Sequence, residues 1–562
     1  MHHHLTLRNK IIIMLSVMVS LFLVALDQTV ISTALGKIVE DFNAFSSLGW
    51  VVTAYLITST ITVPIAGKLS DLFGRRVMLL IGVGVFVAGS LLSGMSGSIE
   101  QLIIWRAVQG VGGGVIMANA FTIIGDLFAP RERGKWQGFI GAAFGFSSLI
   151  GPLLGGFLTE PHNFFGLVTD WRWTLFINVP IGIMAFIVIA MFCPPLKHAR
   201  KPKVDYFGAA FLAVGLATLV LAIDNTDVIF ADLLASTDLT LLGLRLIMFG
   251  VVAAVIVGFI LAERRAEEPI LPPYFFKNRN YVLIMSIALL FGSAFMGSIL
   301  YLTQFNQQVF GASPTESGLM LLPMVGGLML TSVVSGQLIS RFGKYKVFMQ
   351  SGFIIATLAM ICLSFLTPEI GYLYEGIVMA CLGIGMGVAM PVISLAVQNE
   401  FGQKDLGAAT SSSQLFRGLG STIGVAVFGA ILTSGIVTGL GDMNQNAYIQ
   451  TLKQNPAASK IGSFDDSSTL LNINAPDVKQ KINEQSAKAF AALPPEVGKV
   501  AQAKFKAEQD DYAYKIVHTF SASLRGIFIT SSVLMAIATV LVFGLKEREL
   551  RSAKPNETPG IA

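Results

Sequence analysis

The amino-acid sequence predicts an all-α polytopic membrane protein with fourteen transmembrane helices. Of its 562 residues, 53% are hydrophobic and only 13% are charged, whereas a soluble domain carries about 25% charged residues. Fourteen apolar runs approach the ~20 residues that a helix needs to cross a bilayer. They cover about 11–33, 48–66, 77–97, 101–125, 136–158, 173–193, 205–223, 241–262, 281–305, 316–339, 347–366, 372–397, 407–434 and 519–545.

The charges in the loops predict the orientation of these helices. Loops after the even-numbered spans contain Lys and Arg, for example at 131–135 and 341–346, while the opposite loops contain acids such as Glu40 and Asp41. Cytoplasmic loops of membrane proteins are enriched in Lys and Arg. We therefore expect a multi-pass protein of the plasma (inner) membrane with both termini in the cytoplasm.

The composition argues against several other classes of protein. The net charge of +5 is spread over short loops, which does not indicate a nucleic-acid surface. The three cysteines lie in apolar runs, and no Cys/His cluster has metal-binding spacing, so neither a disulfide framework nor a metal site is predicted. The chain has no G-x-x-x-x-G-K-[ST] loop and no nucleophile–base motif, so we expect neither ATP-driven pumping nor an enzyme.

Asp27 is an acid inside the first apolar run. A charged side chain near the middle of a bilayer costs roughly 3 kcal/mol by insertion scales and usually has a function. Burial favours the neutral acid, whereas a nearby cation favours the carboxylate. A carboxylate under both influences can bind and release a proton as its surroundings alternate. This is the basic requirement of a proton-coupled transporter.

Two loops of similar sequence divide the chain into halves. GKLSDLFGRR at 67–76 follows span two, and GQLISRFGK at 336–344 follows span ten. This repeat implies two six-helix halves, residues 1–200 and 271–562, joined by two inserted helices within 201–270. Duplicated halves around a central site are typical of secondary transporters, which work by rocking one half against the other.

The repeated loop has the features of a gate. Its glycines permit a tight turn and a close approach of helices. Asp71 can pair with an arginine or cap a helix N-terminus, where the helix dipole favours an anion. Ser340 occupies the equivalent position in the second copy, so the two copies are not electrostatically equal. We assign to the two gating loops the residues Gly67, Asp71, Gly74, Arg75, Arg76, Gly336, Gly343 and Lys344.

Spans four and five contain further groups of small and polar residues. Span four has LIIWRAVQGVG at 102–112, and span five has GFSSLIGPLLGG at 145–156. Arg106 stays charged in the membrane, so it needs an acid, water or a substrate as its partner. The glycines let backbones approach, and Pro152 removes one helix hydrogen bond. The residues singled out here are Arg106, Gln109, Gly110, Gly112, Gly145, Gly151, Pro152, Gly155 and Gly156.

Arg106 and Asp27 lie at similar predicted depths. Each is about six residues, or about 9 Å, from the outer end of its span at 1.5 Å rise per residue. The two side chains are therefore expected to be neighbours and to couple proton movement to transport. The alternative is that the two side chains form a static ion pair with a structural role only, because ion pairs of that kind also shift the pKa values of their members.

Together these motifs resemble those of the major facilitator superfamily. The loop at 67–76 resembles its signature loop, and the segment around Arg106 resembles its motif with a buried arginine. The segment at 145–156 resembles the motif associated with antiporters, and LDQTVISTAL at 26–35 resembles the first-helix motif of the fourteen-helix drug–proton antiporter family. The resemblance covers the chain except 440–517. It implies a 6+2+6 fold and antiport driven by the proton gradient, without a cofactor.

The segment 440–517 is polar and lies between spans thirteen and fourteen, on the expected outer face. It contains nine Lys and nine acidic residues. Helices are predicted at about 477–492 and 496–516, each following a proline. With few large apolar residues, the segment is expected to be a helical or partly mobile appendage without a sizeable core. An accessory export protein is a possible partner at this position.

The leading hypothesis is a proton-coupled exporter of lipophilic or amphiphilic compounds, with drugs as the default substrate class. Protons and membrane lipid are its other expected partners. The alternative keeps the fold and the coupling but exports a native lipid, glycolipid or metabolite. A channel is disfavoured because two unequal halves with a single deep acid suit alternation better than a continuous pore.

Overall fold

In the computed structural model the chain is almost entirely helical. A short antiparallel ladder pairs Asn163–Phe164 (β1) with Leu167–Val168 (β2). The structure describes residues 6–42, 48–159, 163–164, 167–193, 204–223, 226, 230–237, 239–312, 314–402, 405–440, 446–453, 470, 473–474, 476–491 and 494–550.

Within these residues, fourteen helical segments are long and apolar enough to cross a membrane, as the sequence predicts. The chain up to the inserted helices contains α1 Leu7–Phe42, α2 Leu48–Phe73, α3 Arg75–Gly94, α4 Ile99–Leu127, α5 Pro130–Thr159, α6 Trp173–Phe176, α7 Asn178–Phe192, α8 Tyr206–Ile223, α9 Ala231–Ser236 and α10 Leu241–Arg265. The remainder, after a 3-10 turn at Pro273–Lys277, contains α11 Arg279–Gln308, α12 Pro314–Met320, α13 Leu322–Phe342, α14 Lys346–Leu363, α15 Tyr372–Glu400, α16 Leu406–Leu440, α17 Ala447–Lys453, α18 Pro476–Ala491 and α19 Pro495–Phe543.

The helices pack into two similar groups. In the first, α4 lies between α2 and α3, and α1 contacts α5 and α7. In the second, α15 lies between α13 and α14, while α11 contacts α16 and α19. Each group has a hydrophobic core of its own, with Phe86 and Phe121 in the first and Phe291 and Phe353 in the second. The two arrangements correspond helix by helix, as duplicated halves should.

The inserted helices α8 and α10 pack against each other and are attached to α2. The Lys68 ammonium of α2 lies 2.8 Å from the Glu268 carboxylate, just beyond α10. Lys68 is only 5% exposed, so this ion pair is shielded from water. The inserted pair is therefore fixed to the first half by both packing and charge.

The halves meet where α5 packs along α13 and where α16 packs against α2 and α4. Both gating loops lie on one side of this interface, which we call the loop face. The ends of the described chain lie there too. Lys10 is 5.5 Å from the centroid of the Phe128 ring, and the Leu550 amide donates to the Gly343 carbonyl at 3.0 Å. The opposite side is called the far face.

The described residues between 446 and 516, here called the far-face extension, differ from expectation in two respects. The predicted helices are present, but α19 runs without interruption from Pro495 into the membrane segment and is 49 residues long. The extension also has a compact core, where none of note was expected. Its apolar residues are few and scattered along the sequence, and folding brings them together: Tyr448, Ile449, Leu452, Leu470, Ile473, Ile482, Phe505, Tyr512 and Ile516.

Substitution in this core should loosen the extension alone. Phe505 is 7% exposed, and its ring packs against Tyr448 and Phe490. We expect Phe505→Ala to destabilise the extension by about 3 kcal/mol, as for other large-to-small core changes. Limited trypsin digestion should then cut faster within α18. The control is Val500→Ala on the same helix, since Val500 is 70% exposed. Equal digestion of both variants would contradict the existence of this core.

Candidate functional site

Asp27 lies in the membrane-spanning part of α1 and is 1% exposed. Its Oδ2 accepts a hydrogen bond from Arg106 Nη1 at 2.6 Å. Its Oδ1 accepts from Gln109 Nε2 at 2.9 Å and from Asn178 Nδ2 at 3.0 Å. The carboxylate thus joins α1 to α4 and α7, and these contacts compensate for its removal from water.

Arg106 has partners on several sides. Besides Asp27, its guanidinium donates to Gln109 Oε1 at 2.8 Å and to the Val51 carbonyl at 3.4 Å. Its Cζ also lies 4.5 Å from the centroid of the Tyr55 ring, a cation–π geometry. Both charges of the pair are almost fully buried, at 1% and 0% side-chain exposure. A buried pair of this kind is stabilised only when its remaining donors and acceptors are also satisfied.

Asn178 is a member of this site that sequence reasoning missed. It is fully buried at the start of α7, where its Nδ2 also lies 3.1 Å from Ser90 Oγ. The Ser90 hydroxyl in turn donates to the Leu175 carbonyl at 2.9 Å. A polar residue inside the apolar run of span six was an available signal. The sequence does not show that Asn178 faces Asp27, because 151 residues separate the two.

The first gating loop makes a charged contact between the halves. Asp71 is paired with Arg75, whose Nε donates to Asp126 Oδ2 at 2.7 Å. The other Asp71 oxygen, Oδ2, accepts from the Ala408 amide at 3.2 Å, at the start of α16. Asp71 therefore performs both roles predicted for it, as an arginine partner and as an anion at a helix N-terminus.

At the equivalent place, the side chain of the second gating loop is the uncharged hydroxyl of Ser340. Ser340 Oγ donates to the Arg131 carbonyl at 2.6 Å and accepts from the Lys135 amide at 3.3 Å. Arg131 Nε donates to the Ser340 carbonyl at 2.8 Å. These atoms join the end of α13 to the first turns of α5. The two copies thus occupy corresponding interfaces, with the carboxylate of Asp71 in one and the hydroxyl of Ser340 in the other.

The glycines of the two loops also correspond. Gly74 and Gly343 have φ of 98° and 70°, a backbone region that side chains disfavour. A Cβ at Gly67 would lie 2.2 Å from Ser411 Oγ of α16, and one at Gly336 would lie 2.4 Å from the Gly134 carbonyl of α5. Both close approaches cross between the halves, so the repeated glycines set the distance between them.

The remaining residues predicted from the sequence lie at contacts between helices or at the protein surface. Arg76 donates to the Ala190 carbonyl, and Lys344 is exposed. Pro152 lies within α5 and does not end that helix. The glycines of spans four and five lie at helix contacts, with Gly110 against α2, Gly112 against α3, Gly145 against α13 and Gly151 against α1. Gly155 is buried and Gly156 half-buried in the last turns of α5.

A further polar contact closes the interface near the loop face. Gln398 of α15, 1% exposed, donates to the Phe121 carbonyl of α4 at 2.9 Å and lies 3.3 Å from Thr410 Oγ1. Gln137 of α5 lies 3.4 Å from it as well. Gln398 and Gln137 belong to no motif that the sequence presents. Together with Asp71 and Ser340 they hold the halves together on the loop face.

Comparison with known proteins agrees with this architecture. Residues 17–425 match the family model of the Major Facilitator Superfamily. The chain is 36% identical over 430 residues to "Multidrug transporter protein MdtP" of Bacillus subtilis (strain 168), which covers 76% of each chain. It is 34% identical over 431 residues to "Multidrug resistance protein 3" of the same organism, covering 76% of this chain and 81% of the relative.

Solved structures show the same fold at low sequence identity. The human organic anion transporter MFSD10 superposes with a TM-score of 0.59 at 13% identity, covering 94% of this chain and 99% of that one. The proton:xylose symporter XylE superposes with a TM-score of 0.54 at 17% identity, covering 76% and 90%. The chain therefore belongs to the major facilitator superfamily, a family of membrane transporters and not of enzymes.

Proposed function

We propose that this transporter exports lipophilic or amphiphilic compounds across the plasma membrane in exchange for protons. In this proposal the loop face and both termini lie in the cytoplasm. The observation that carries it is Asp27, a buried acid in a membrane helix that touches one cation and two amides on other helices. The names of the relatives, a multidrug transporter and a multidrug resistance protein, support the substrate class.

Protonation of Asp27 changes what holds α1, α4 and α7 together. The ionised acid neutralises Arg106 and accepts three hydrogen bonds. The neutral acid leaves Arg106 without a counter-charge in a buried place, which is costly. Arg106 must then gain water or move, and the helices that carry the two residues move with them. Proton binding thereby favours one conformation over another.

The contacts on the loop face are the part of the structure that forms and breaks as the transporter alternates between its two access states. Opening that face requires Asp71 to release the Ala408 amide and Ser340 to release Arg131. It also requires Gln398 to leave the Phe121 carbonyl. Each of these contacts crosses between the halves, so they break together when one half rocks against the other. In the described structure all three are formed, and the loop face is closed.

The first test is Asp27→Asn, which should abolish proton-driven export while the protein still folds. Asn keeps the volume of the side chain and some of its hydrogen bonds but does not titrate. The matched control is Asp41→Asn, because Asp41 lies on the same helix and pairs with Arg172 at the surface. Substrate-driven proton movement is measured in liposomes. Normal uphill transport by Asp27→Asn would exclude Asp27 as the coupling site.

Arg106 should tolerate substitution poorly. Arg106→Ala leaves a buried acid without its cation, and breaking such a pair costs roughly 3–5 kcal/mol of folding free energy. We expect the pH profile of transport to move to higher pH, because the charge that favours the ionised acid is lost. Arg106→Lys should shift it less. An unchanged profile in both variants would show that Arg106 does not influence proton exchange.

The two gating loops should differ in how strongly a substitution affects transport. Asp71→Asn removes an anion from the start of α16, an interaction worth about 0.3–2 kcal/mol. It also removes the carboxylate from the buried ion pair with Arg75, which keeps Asp126 as an acidic partner. Turnover should fall and the distribution between the two access states should shift, with little change in substrate affinity. Ser340→Ala removes only neutral hydrogen bonds and should be tolerated. Equal damage by the two changes in a transport assay would contradict the proposed difference between the loops.

A further inference from the structure

Arg417 is a membrane-embedded cation that the proposed coupling does not use. It belongs to α16 and lies about 16 Å from Leu406, where that helix starts at the loop face, at 1.5 Å rise per residue. The hydrocarbon core of a bilayer is about 30 Å thick, so Arg417 lies near its middle. A charge at this depth is costly unless something in its surroundings compensates for it.

The contacts of Arg417 do not supply a counter-charge. Its Nη2 donates to Gln414 Oε1 of the same helix at 2.5 Å. Its Cζ lies 6.0 Å from the centroid of the Phe144 ring, on α5 of the other half. Among the described residues, no carboxylate lies within ion-pair distance of Arg417 and its guanidinium makes no second hydrogen bond. A guanidinium has five N–H donors, so most of them remain for another group.

Two other buried arginines have acidic partners, whereas Arg133, near the loop face, donates to the Phe128 and Gly125 carbonyls. Arg106 is paired with Asp27, and Arg75 with Asp71 and Asp126. These pairs show that the protein can place a carboxylate beside an arginine in its interior. Arg417 is instead partly accessible, and its guanidinium is directed toward the opposite half.

An acid elsewhere in the second half does not reach Arg417. Glu375 is fully buried, but it lies in the first turn of α15, at the far face. With its amide nitrogen turned to the acid, Asn306 donates to both Glu375 oxygens at 2.8 and 3.0 Å. Glu375 therefore has its own partner at a different depth from Arg417.

Arg417 lies at the interface between the halves, on the far-face side of the contacts that close the loop face. Thr410, Gln414 and Arg417 follow one another at four- and three-residue spacing, so they share one face of α16. Thr410 contacts Gln398, the residue that bridges to α4 near the loop face. Phe144 packs against the cores of both halves. Arg417 thus has guanidinium N–H groups beyond the one bonded to Gln414, an aromatic ring nearby and a position at the interface between the halves.

We propose that Arg417 binds the acidic group of the transported substrate, a carboxylate or a phosphate carried on an apolar body. The planar guanidinium can donate two parallel hydrogen bonds to either group. The apolar body then packs against Phe144, across the interface. This inference rests on the proposed export function only in assigning the bound molecule as a substrate; the binding site itself stands on the contacts of Arg417.

Such a substrate fits proton exchange energetically. Export of an anion and import of a proton both move positive charge into the cell, so the membrane potential drives both movements. A ligand held by Arg417 on one half and by Phe144 on the other also contacts both sides of the interface. Its affinity then differs between the two access states, which is what a transport cycle requires.

Binding is tested with probes of one chain length and different head groups. Wild-type protein in phosphatidylcholine nanodiscs is titrated calorimetrically with decanoate, decyl phosphate, decanol and decyltrimethylammonium, with empty nanodiscs as the blank. Inorganic phosphate is titrated separately. We expect the two anionic amphiphiles to bind at least about tenfold more tightly than the other three, as charge-assisted hydrogen bonds imply. Equal affinity for all head groups overturns the proposal. Equal affinity for inorganic phosphate overturns the assignment of an amphiphilic ligand.

Variants then assign the effect to Arg417. Arg417→Gln should lose the preference for anions, and Arg417→Lys should keep the charge but bind decyl phosphate more weakly. Arg525→Gln is the matched control, since Arg525 is an exposed arginine of α19 in the same half. If Arg417→Gln does not fold, the comparison of Arg417→Lys with wild type decides. A preference for anions that survives in folded Arg417→Gln overturns the proposal. If only Arg417→Lys folds, an undiminished affinity for decyl phosphate overturns it.

Transport separates this inference from the proposed function. The same probes are added to proteoliposomes, and proton movement is recorded for wild type and Asp27→Asn. Anion binding that depends on Arg417 without any proton movement retains the site and rejects proton-coupled export. Asp27-dependent proton movement driven by decyltrimethylammonium, and unaffected in Arg417→Gln, retains the export function and rejects the site.

Discussion

A charge inside the membrane has to be compensated by the protein itself, and this constraint organises the transport domain. The ion pair of Asp27 and Arg106 is almost completely buried and joins α1 to α4. Gln109 and Asn178 complete its hydrogen bonds and extend the connection to α7. Because every partner lies on a different turn or helix, a change in the charge of Asp27 affects the packing of three helices at once.

The same constraint shapes the gates. Arg75 is compensated by Asp71 and Asp126, and Asp71 also reaches the start of α16 in the opposite half. At the equivalent interface the Ser340 hydroxyl and the Arg131 guanidinium both bond to backbone groups. Two interfaces related by the internal repeat thus have similar geometry but different electrostatics. At each interface a glycine permits the close approach of the other half, Gly67 toward Ser411 and Gly336 toward the Gly134 carbonyl.

The two halves have separate chemical roles in the proposals above. The proposed proton site lies in the first half, where Asp27 is paired with Arg106. The proposed anion site lies in the second half, where Arg417 has an amide and an aromatic ring for neighbours and no acid among the described residues. In these proposals the proton acts on the first half, whereas the acidic group of the substrate binds Arg417 of the second half and its apolar body contacts Phe144 of the first. The contacts between the halves would connect the two effects.

The sequence by itself determined the number of membrane helices and the internal repeat, and it singled out Asp27, Arg106 and Asp71 as candidates. Hydropathy, loop motifs and isolated charges in apolar runs are local signals, so they can be recognised in the sequence without a structure. Only the tertiary structure decided which residues meet. Asn178 reaches Asp27, Gln398 bridges α15 to α4, and the scattered apolar residues of the far-face extension form one core. Contacts between helices far apart in the chain depend on rotation and depth, and hydropathy determines neither.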